Sequence, residues 1–177
     1  VRWTAPNSPH DLGTYPIANG RKVTETMPIE EPGNMIIMVA ALARAEGNAD
    51  YARKHWKVLS QWADYLLKFG MDPGNQLCTD DFAGPSAHNA NLSIKAIDAL
   101  AAFADLARLL HHEELAKEYS ATARSMAGKW VGMAKEGDHY KLAFNSPDTW
   151  SQKYNLVWDQ ILDYDLFPPA VRQTEIA

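Results

Sequence analysis

The feature that most constrains the fold is a recurring pair of helix types, one apolar on every side and one apolar along a single stripe. Residues 34–43 run through Met, Ile, Val, Ala and Leu without a polar face, which predicts a helix that is buried all round. Roughly residues 49–69 instead place apolar side chains three and four positions apart, with Lys and Arg between them. That spacing predicts an amphipathic helix, and Gly47-Asn48 separates it from the first.

The same pair of helices recurs further along the chain. Residues 92–110 are mostly Ala, Leu and Ile, and roughly residues 113–135 again carry one apolar stripe. Residues 139–144 alternate weakly and favour a short strand. A third apolar helix is predicted over residues 152–162, and Pro168-Pro169 separates it from a short tail.

Each apolar helix has an asparagine at or near its start, namely Asn34, Asn91 and Asn155. These asparagines are 57 and 64 residues apart, which is the length of one helical hairpin with its loop. Self-similarity at this period indicates a repeat architecture. Alternating buried and half-exposed helices favour an α/α toroid, in which inner helices line the centre and outer helices face solvent. An irregular helical bundle and a superhelical array of hairpins are the alternatives.

The predicted organisation is one all-α domain over residues 1–177, forming a partial six-hairpin-type toroid of about two and a half hairpins. Residues 1–33 are rich in Pro, Gly, Asn and Thr and are expected to be extended, whereas 34–70 form the first hairpin, 88–136 the second and 152–177 the start of the third. Two and a half hairpins do not close a ring, so apolar inner helices would be left uncovered. We therefore expect a domain fragment whose inner helices are covered by the rest of a parent chain or by a second copy.

Composition excludes several classes of function. The net charge of −5, without any run of Lys or Arg, argues against a nucleic-acid partner, and no apolar run is long enough to span a membrane. Cys78 is the single cysteine, which excludes an internal disulfide framework and a multi-cysteine metal site. The sequence has no His/Asp spacing typical of a metal site and no glycine-rich phosphate loop, so we predict neither a metal nor a cofactor.

Residues able to do chemistry are concentrated in the loops that lead into the apolar helices. In a toroid those loops open at one end, whereas the connectors at the other end are short and ordinary in this sequence. Paired carboxylates can act as general acid and base because burial and crowding separate their pKa values. The candidate catalytic residues are Glu30, Glu31, Asp80 and Asp81. The candidate substrate-binding residues are Asp11, His88, Asn89, Asn91, Trp150, Lys153 and Tyr154.

Some of these residues also have simpler structural interpretations. Asn89 and Asn91 lie at a predicted helix start, where capping the helix or packing against it is favoured over ligand binding for either residue alone. His88 is favoured as a structural hydrogen-bonding group rather than a metal ligand. Cys78 has no base beside it in the sequence, so no nucleophilic role is assigned to it.

Several long motifs stand out in the sequence. They are residues 9–16 (PHDLGTYP), 27–31 (MPIEE) followed by 33–35 (GNM), 75–84 (NQLCTDDFAG), 88–95 (HNANLSIK) and 149–159 (TWSQKYNLVWD). Together these motifs resemble the glutaminase A family of fungi and bacteria. The resemblance covers nearly the whole chain. Pro85 and Ser86 depart from the pair expected in the central loop, and they leave the motif around them intact.

The resemblance implies a fragment of a C-terminal helical domain from a secreted or periplasmic amidohydrolase that converts glutamine to glutamate and ammonia. It implies a six-hairpin α/α toroid, shared with glucoamylase-like glycosidases, and an additional β-rich region upstream. No catalytic residue is carried over from the family, so the candidate site rests on position in the loops. Amide hydrolysis is therefore weighed against glycoside hydrolysis or carbohydrate binding, and against a structural fragment that is inactive alone. The expected ligand is a small molecule, either an amide or a sugar.

Overall fold

The computed structural model describes residues 27–78 and 84–176, together with Pro6, Ser8 and Ile17. The predicted acids Asp80 and Asp81, the predicted ligand Asp11 and most of the predicted extended segment lie outside the described residues. Within the described part the fold is all-α, as predicted, apart from one short hairpin of two strands.

The helices follow one another along the chain in the order that the apolar pattern predicts. They are α1 (Glu30–Glu46), α2 (Asp50–Phe69), α3 (Ala90–Leu109), α4 (Glu113–Ala134), α5 (Leu156–Ile161) and α6 (Pro169–Ile176). The strands β1 (Lys135–Glu136) and β2 (His139–Tyr140) lie between α4 and α5 and pair antiparallel. Helix α1 packs on α2, and α3 packs on α4. Helices α1, α3 and α5 thus form a row of inner helices, with α2 and α4 outside it.

Helix α1 begins at Glu30, before the predicted start at Asn34. Pro32 and Gly33 suggest a break in the sequence, but proline is tolerated in the first turn of a helix because its missing N–H would have no helical partner there. Two glutamates in that turn also suit the positive end of the helix dipole. Glu30 and Glu31 therefore belong to the first turn of α1 and not to the preceding loop.

Helix α3 is the centre of the core and contacts α1, α2, α4 and α5. Residues 90–104 are all buried, as the all-round apolar pattern predicts. Its start is capped by Asn89, whose Oδ1 accepts a hydrogen bond from the Leu92 N–H at 2.8 Å. Gly70, at the end of α2, lies so close to α3 that an added Cβ would be 2.4 Å from the Cβ of Ala96.

The outer helices α2 and α4 bury one face each, as predicted. Two hydrogen bonds tie them to each other and to the row of inner helices. The Tyr119 hydroxyl on α4 donates to Asp64 on α2 at 2.6 Å. The buried Trp130 indole on α4 donates to the Ala90 carbonyl at 2.8 Å, which anchors the first residue of α3.

Helices α1 and α5 are not buried all round, contrary to the sequence pattern. Met38 and Leu42 on α1 are 52% and 36% exposed, and Val157 and Ile161 on α5 are 45% and 62% exposed. An inner helix is covered on every side only when it has neighbours on both flanks, as α3 has in α1 and α5. These exposed apolar residues mark the two ends of the row.

The region after residue 150 also differs from the prediction. The third inner helix extends only over Leu156–Ile161, and the residues after it turn back to begin α6. Pro168-Pro169 predicted a break followed by a tail, whereas Pro169 is the first residue of α6. Proline suits that position because its fixed φ is already helical and its missing N–H costs nothing there.

Candidate functional site

Paired backbone closes the base of the loop that leads into α3. Gln76 and Ser86 exchange two backbone hydrogen bonds, of 3.2 and 2.9 Å. The Ala90 N–H donates to the Leu142 carbonyl at 2.9 Å, which ties the start of α3 to the segment after β2. Both ends of the stretch that contains residues 79–83 are therefore held beside the N-terminal end of α3.

A cleft of about 530 Å³ lies between this loop and the segment that leads into α5, and we call it the mouth cleft. Its lining residues are Cys78, Gly84, Pro85, Ser86, Asn89, Leu142, Trp150, Ser151, Gln152 and Tyr154. Cys78 and Gly84 are the two residues that flank residues 79–83 in the sequence.

The described lining of the mouth cleft mixes apolar and polar side chains, and none of them is charged. Ser86 and Gln152 contribute hydroxyl and amide groups, and Trp150 presents a ring that is 56% exposed. Such a surface suits a small ligand with neutral hydrogen-bonding groups and an apolar face.

Asn89 has a structural role at the edge of the mouth cleft. Besides capping α3 through Oδ1, it donates from Nδ2 to the Sγ of Cys78 at 3.7 Å. Both ends of its amide are therefore engaged, and the side chain connects the start of α3 to the first residue of the cleft wall. The simpler interpretation of Asn89, that of a helix cap, agrees with this geometry.

Asn91 joins two inner helices and is 2% exposed. Its Oδ1 accepts a hydrogen bond from the Asn155 N–H at 3.2 Å, and its carbonyl accepts one from the Asn155 Nδ2 at 3.0 Å. Two of the three asparagines that mark the repeat are thus in direct contact across α3 and α5. Asn91 fixes the entry to α5, and its amide oxygen is already committed to that contact.

Glu30 forms a buried ion pair with Lys95 of α3. The Lys95 Nζ lies 2.5 Å from Glu30 Oε1 and also donates to Asn34 Oδ1. The side chains of Lys95 and Glu30 are only 5% and 2% exposed. Glu31, the next residue, is partly buried and does not line the mouth cleft. Glu30 therefore joins α1 to α3, although it was predicted from sequence as a catalytic acid.

Lys153 is also buried and holds together the wall between α5 and α6. Its Nζ donates to the carbonyls of Tyr140 and Ser151 at 2.9 and 2.5 Å and lies 3.6 Å from the Glu175 carboxylate. Burial lowers the pKa of the Lys153 ammonium and raises the pKa of the Glu175 carboxyl. A second hollow of about 430 Å³ lies on this side, and it shares Gln152 and Tyr154 with the mouth cleft.

His88 lies beside the mouth cleft but turns away from its lining. Its backbone has a φ of 61°, which is uncommon for a residue with a side chain. Its Nδ1 is 2.7 Å from Asp72 Oδ1, and both side chains are partly exposed. The structure thus supports a structural hydrogen bond for His88, with a partner in the α2–α3 connector that the sequence does not single out.

Among the described residues, Asn89, Trp150 and Tyr154 are the predicted binding residues that meet in the mouth cleft. Ser86 and Gln152 line it as well and were missed, although both lie inside or next to motifs that were recognised. Their side chains have no distinctive sequence signal, since a serine or glutamine in a loop has no preferred role until its neighbours are known.

Asp98 is a buried carboxyl that the sequence analysis did not single out. It is 0% exposed in the middle of α3, and within the described chain neither carboxyl oxygen has a hydrogen-bond partner. Burial raises its pKa well above the ordinary value; the nearby Asp159 carboxylate raises it further, while Lys95 lowers it. Asp159 itself accepts hydrogen bonds from the Leu166 N–H at 2.8 Å and from Arg172 at 3.1 Å. Burial therefore favours the neutral form of the Asp98 carboxyl; burial also raises the pKa of Asp159, and the hydrogen bonds that Asp159 accepts oppose that rise.

We expect Asp98→Asn to stabilise the protein at neutral pH and to have little effect below about pH 4. Because the pKa of Asp98 is raised in the folded protein, the unfolded chain loses this proton at a lower pH than the folded chain does. The free energy of unfolding therefore falls as the pH rises above the unfolded-state pKa of Asp98, by up to about 1.4 kcal/mol per pH unit. An uncharged amide removes that dependence. Urea unfolding of both proteins from pH 4 to pH 8 measures it, with the exposed Asp50→Asn as control. A constant difference between Asp98→Asn and the native protein across this range would contradict the assignment.

The described residues lack two kinds of feature. They contain no group of three or more His, Cys, Asp or Glu side chains arranged to hold a metal ion. Among the helices of that same part of the chain, none combines the length and the apolar character needed to cross a membrane.

Comparison with known proteins identifies a family across the full length of the chain. Residues 1–177 match the family model described as the glutaminase A six helical-hairpin domain. A protein named Glutaminase A from Aspergillus oryzae is 36% identical over 169 residues, which are 92% of this chain and 24% of that protein. A protein named as a probable glutaminase from Arthroderma benhamiae is 31% identical over 134 residues, 71% of this chain and 16% of that protein. The chain thus spans a quarter or less of the length of these relatives.

Proposed function

This chain belongs to the glutaminase A six-helical-hairpin domain family, and on that basis we propose that it forms part of a glutaminase-like amidohydrolase. The reaction would convert L-glutamine and water to L-glutamate and ammonia. The names of the two relatives support this class of substrate. The observation that carries the site is the mouth cleft, whose two flanking residues Cys78 and Gly84 bracket Asp80 and Asp81.

We place the general base on Asp80 or Asp81 rather than on Glu30 or Glu31. Glu30 is held by Lys95 in the core, and its removal would break an ion pair before it affected catalysis. An ionised aspartate would take a proton from water as the water oxygen bonds to the amide carbon. The C–N bond then breaks, and the nitrogen leaves as ammonia with a proton returned from the acid.

The neutral groups of the cleft would orient the substrate amide. Hydrogen-bond donors on Gln152 and Tyr154 line the space in which the carbonyl oxygen would develop negative charge, whereas the Ser86 hydroxyl already donates to the Ala87 carbonyl. Trp150 would cover the apolar stem of the side chain. Asn89, Asn91, His88 and Lys153 would act indirectly, by holding these walls in place.

Glycoside hydrolysis is the second candidate, and the described part of the lining, which holds Trp150 and Tyr154 but no charged side chain, favours it. Sugars bind through neutral hydrogen bonds and through stacking on aromatic rings, whereas free glutamine carries two charges that this lining does not match. A glycosidase also needs two carboxyl groups about 5–9.5 Å apart across the cleft. Asp80 and Asp81 are the acids closest to the cleft in sequence, and adjacent residues in a loop often point in different directions.

The row of inner helices needs covering at both ends. We propose that the rest of a parent chain, or a second copy, packs on Met38 and Leu42 of α1 and on Val157 and Ile161 of α5. The relatives are at least four times longer than the segment they share with this chain, which supports the first of these partners. The resemblance of the motifs supports a secreted or periplasmic location. For this segment on its own, the alternative to enzymatic activity is a structural role in the parent protein.

A substrate screen on the full-length protein tests the proposal. Ammonia release is measured with glutamine, asparagine and γ-substituted glutamines, and reducing-sugar release is measured with a panel of α- and β-glycosides under the same conditions. We expect ammonia from glutamine and no sugar release. Sugar release without ammonia would replace the first candidate with the second, and no product from any substrate would leave a structural role for the domain.

A further inference from the structure

A concavity distinct from the mouth cleft and from the hollow beside Lys153 lies at the end of α3 opposite to the mouth cleft. It has a volume of about 150 Å³ and gathers three guanidinium groups, from Arg44, Arg108 and Arg124. Arg44 and Arg108 belong to the last turns of α1 and α3, and Arg124 comes from α4. We call it the arginine hollow. None of its residues belongs to the site proposed above.

The arginines have more donors than the described acceptors engage. Asp105 is shared by two of them, with one oxygen 2.6 Å from Arg44 Nη2 and the other 2.8 Å from Arg108 Nη1. Within the described part of the chain, the hydrogen bonds of Arg124 are long, 3.3 and 3.4 Å, and go to the carbonyls of Asp165 and Tyr164. Each guanidinium carries five N–H groups, so several remain directed at the hollow or at solvent.

Two uncharged donors complete the lining. Ser120 contributes a hydroxyl from α4. The Tyr164 hydroxyl is buried without a hydrogen-bond partner in the described chain, and the Arg44 guanidinium lies 5.3 Å from its ring centroid. Burial raises the pKa of Tyr164, so the hydroxyl keeps its proton and can donate it to a hydrogen bond.

The net charge of the side chains that line the arginine hollow is positive, although the chain as a whole has a net charge of −5. Three arginines face two carboxylates, those of Asp105 and Asp163. Compensation of helix dipoles accounts for a cation in the last turn of α1 and of α3. It does not account for Arg124, which lies in the middle of α4, or for the clustering of Tyr164 and Ser120 with it.

We propose that the arginine hollow binds a small tetrahedral oxyanion of the phosphate or sulfate class. Its volume suits an ion of that size, and planar guanidinium groups match oxyanions through paired N–H donors. A bound dianion would bridge α1, α3 and α4 at the end of the bundle opposite to the mouth cleft.

Titration calorimetry of the full-length protein with inorganic phosphate and with sulfate tests the proposal, at an ionic strength kept constant with chloride. We expect binding by the native protein and about a tenfold or greater loss of affinity in Arg124→Gln, because one charged hydrogen-bonding group is removed. Ser120→Asp is expected to abolish binding, because it places a carboxylate where the anion would lie. Arg53→Gln on the exposed side of α2 is the matched control and should bind as the native protein does.

The outcomes separate this site from the proposed activity, since calorimetry needs no substrate. No heat with either anion at millimolar concentration would overturn the proposal. Binding that is unaffected by both Arg124→Gln and Ser120→Asp would also overturn it, because the ion would then lie elsewhere. If Arg124→Gln fails to fold, the result for Ser120→Asp decides between these outcomes.

Discussion

Replacing Lys95 with methionine is expected to lower the free energy of unfolding by about 3–5 kcal/mol, the range found when one member of a buried ion pair is removed. The substitution leaves Glu30 charged in a position that is 2% exposed, and it removes the donor that Asn34 shares. The stem of Lys95 also packs against Gly33, where an added Cβ would lie 2.7 Å from the lysine Cγ. Urea unfolding followed by circular dichroism measures the loss.

Two further variants separate the lost pair from a general loss of packing. Glu30→Leu combined with Lys95→Met should recover much of the stability, because replacing both charges by apolar groups leaves no unpaired ion. Lys117→Met on α4 removes a lysine that pairs with Glu114 at the surface, where the lysine side chain is 71% exposed, and should change stability little. If Lys95→Met costs no more than Lys117→Met, the pair does not stabilise the fold.

Replacing Asp80 or Asp81 with asparagine is expected to lower kcat/KM for the substrate found in the screen by about a hundredfold or more for the acid that serves as general base. Asparagine has nearly the same shape but cannot take a proton from water, so the loss should appear in kcat rather than in KM. The expectation rests on the position of Cys78 and Gly84 in the wall of the mouth cleft. Steady-state kinetics with the full-length protein measures it.

The controls for this test distinguish catalysis from folding. Asp50→Asn, at the exposed start of α2, should keep full activity. Glu30→Gln should lose stability in the manner of Lys95→Met and lose activity only where the protein unfolds. Full activity in both Asp80→Asn and Asp81→Asn would exclude these acids as the general base. Glu31 would then be the next candidate acid.

The fold class could be predicted from sequence because helix type depends on local spacing. The all-round apolar character of residues 92–110 requires neighbours on every side, and α3 has them in α1, α2, α4 and α5. The same reasoning failed for α1 because the spacing of apolar residues says that a face needs covering but not which segment covers it. Met38 and Leu42 show this directly, since they have the character of core residues and are exposed.

The candidate site was predicted less completely, and the reason is the range of the contacts involved. Capping could be favoured for Asn89 from sequence, although the residue was also a candidate for substrate binding, because a cap bonds locally and its partner Leu92 is three residues away. The partner of Glu30 is 65 residues away and that of Asn91 is 64 residues away, so no local pattern could assign these side chains to the core. The loops that lead into the inner helices were predicted to share one end of the fold, and two of them do meet in the mouth cleft.

The succession of buried and amphipathic helices, the asparagine that marks each repeat and the family to which the motifs belong follow from sequence, because each is carried by short local patterns. Which polar residues are committed to the core follows from tertiary packing. Packing α1 and α5 against α3 buries Glu30, Asn91 and Lys153 in contacts of their own, and it leaves Cys78 and Gly84, which flank residues 79–83 in the sequence, in the described wall of the mouth cleft. A buried charge or amide is stable only when it is paired or hydrogen-bonded, and its partner is often distant in sequence, so packing of the whole fold determines which pairs form.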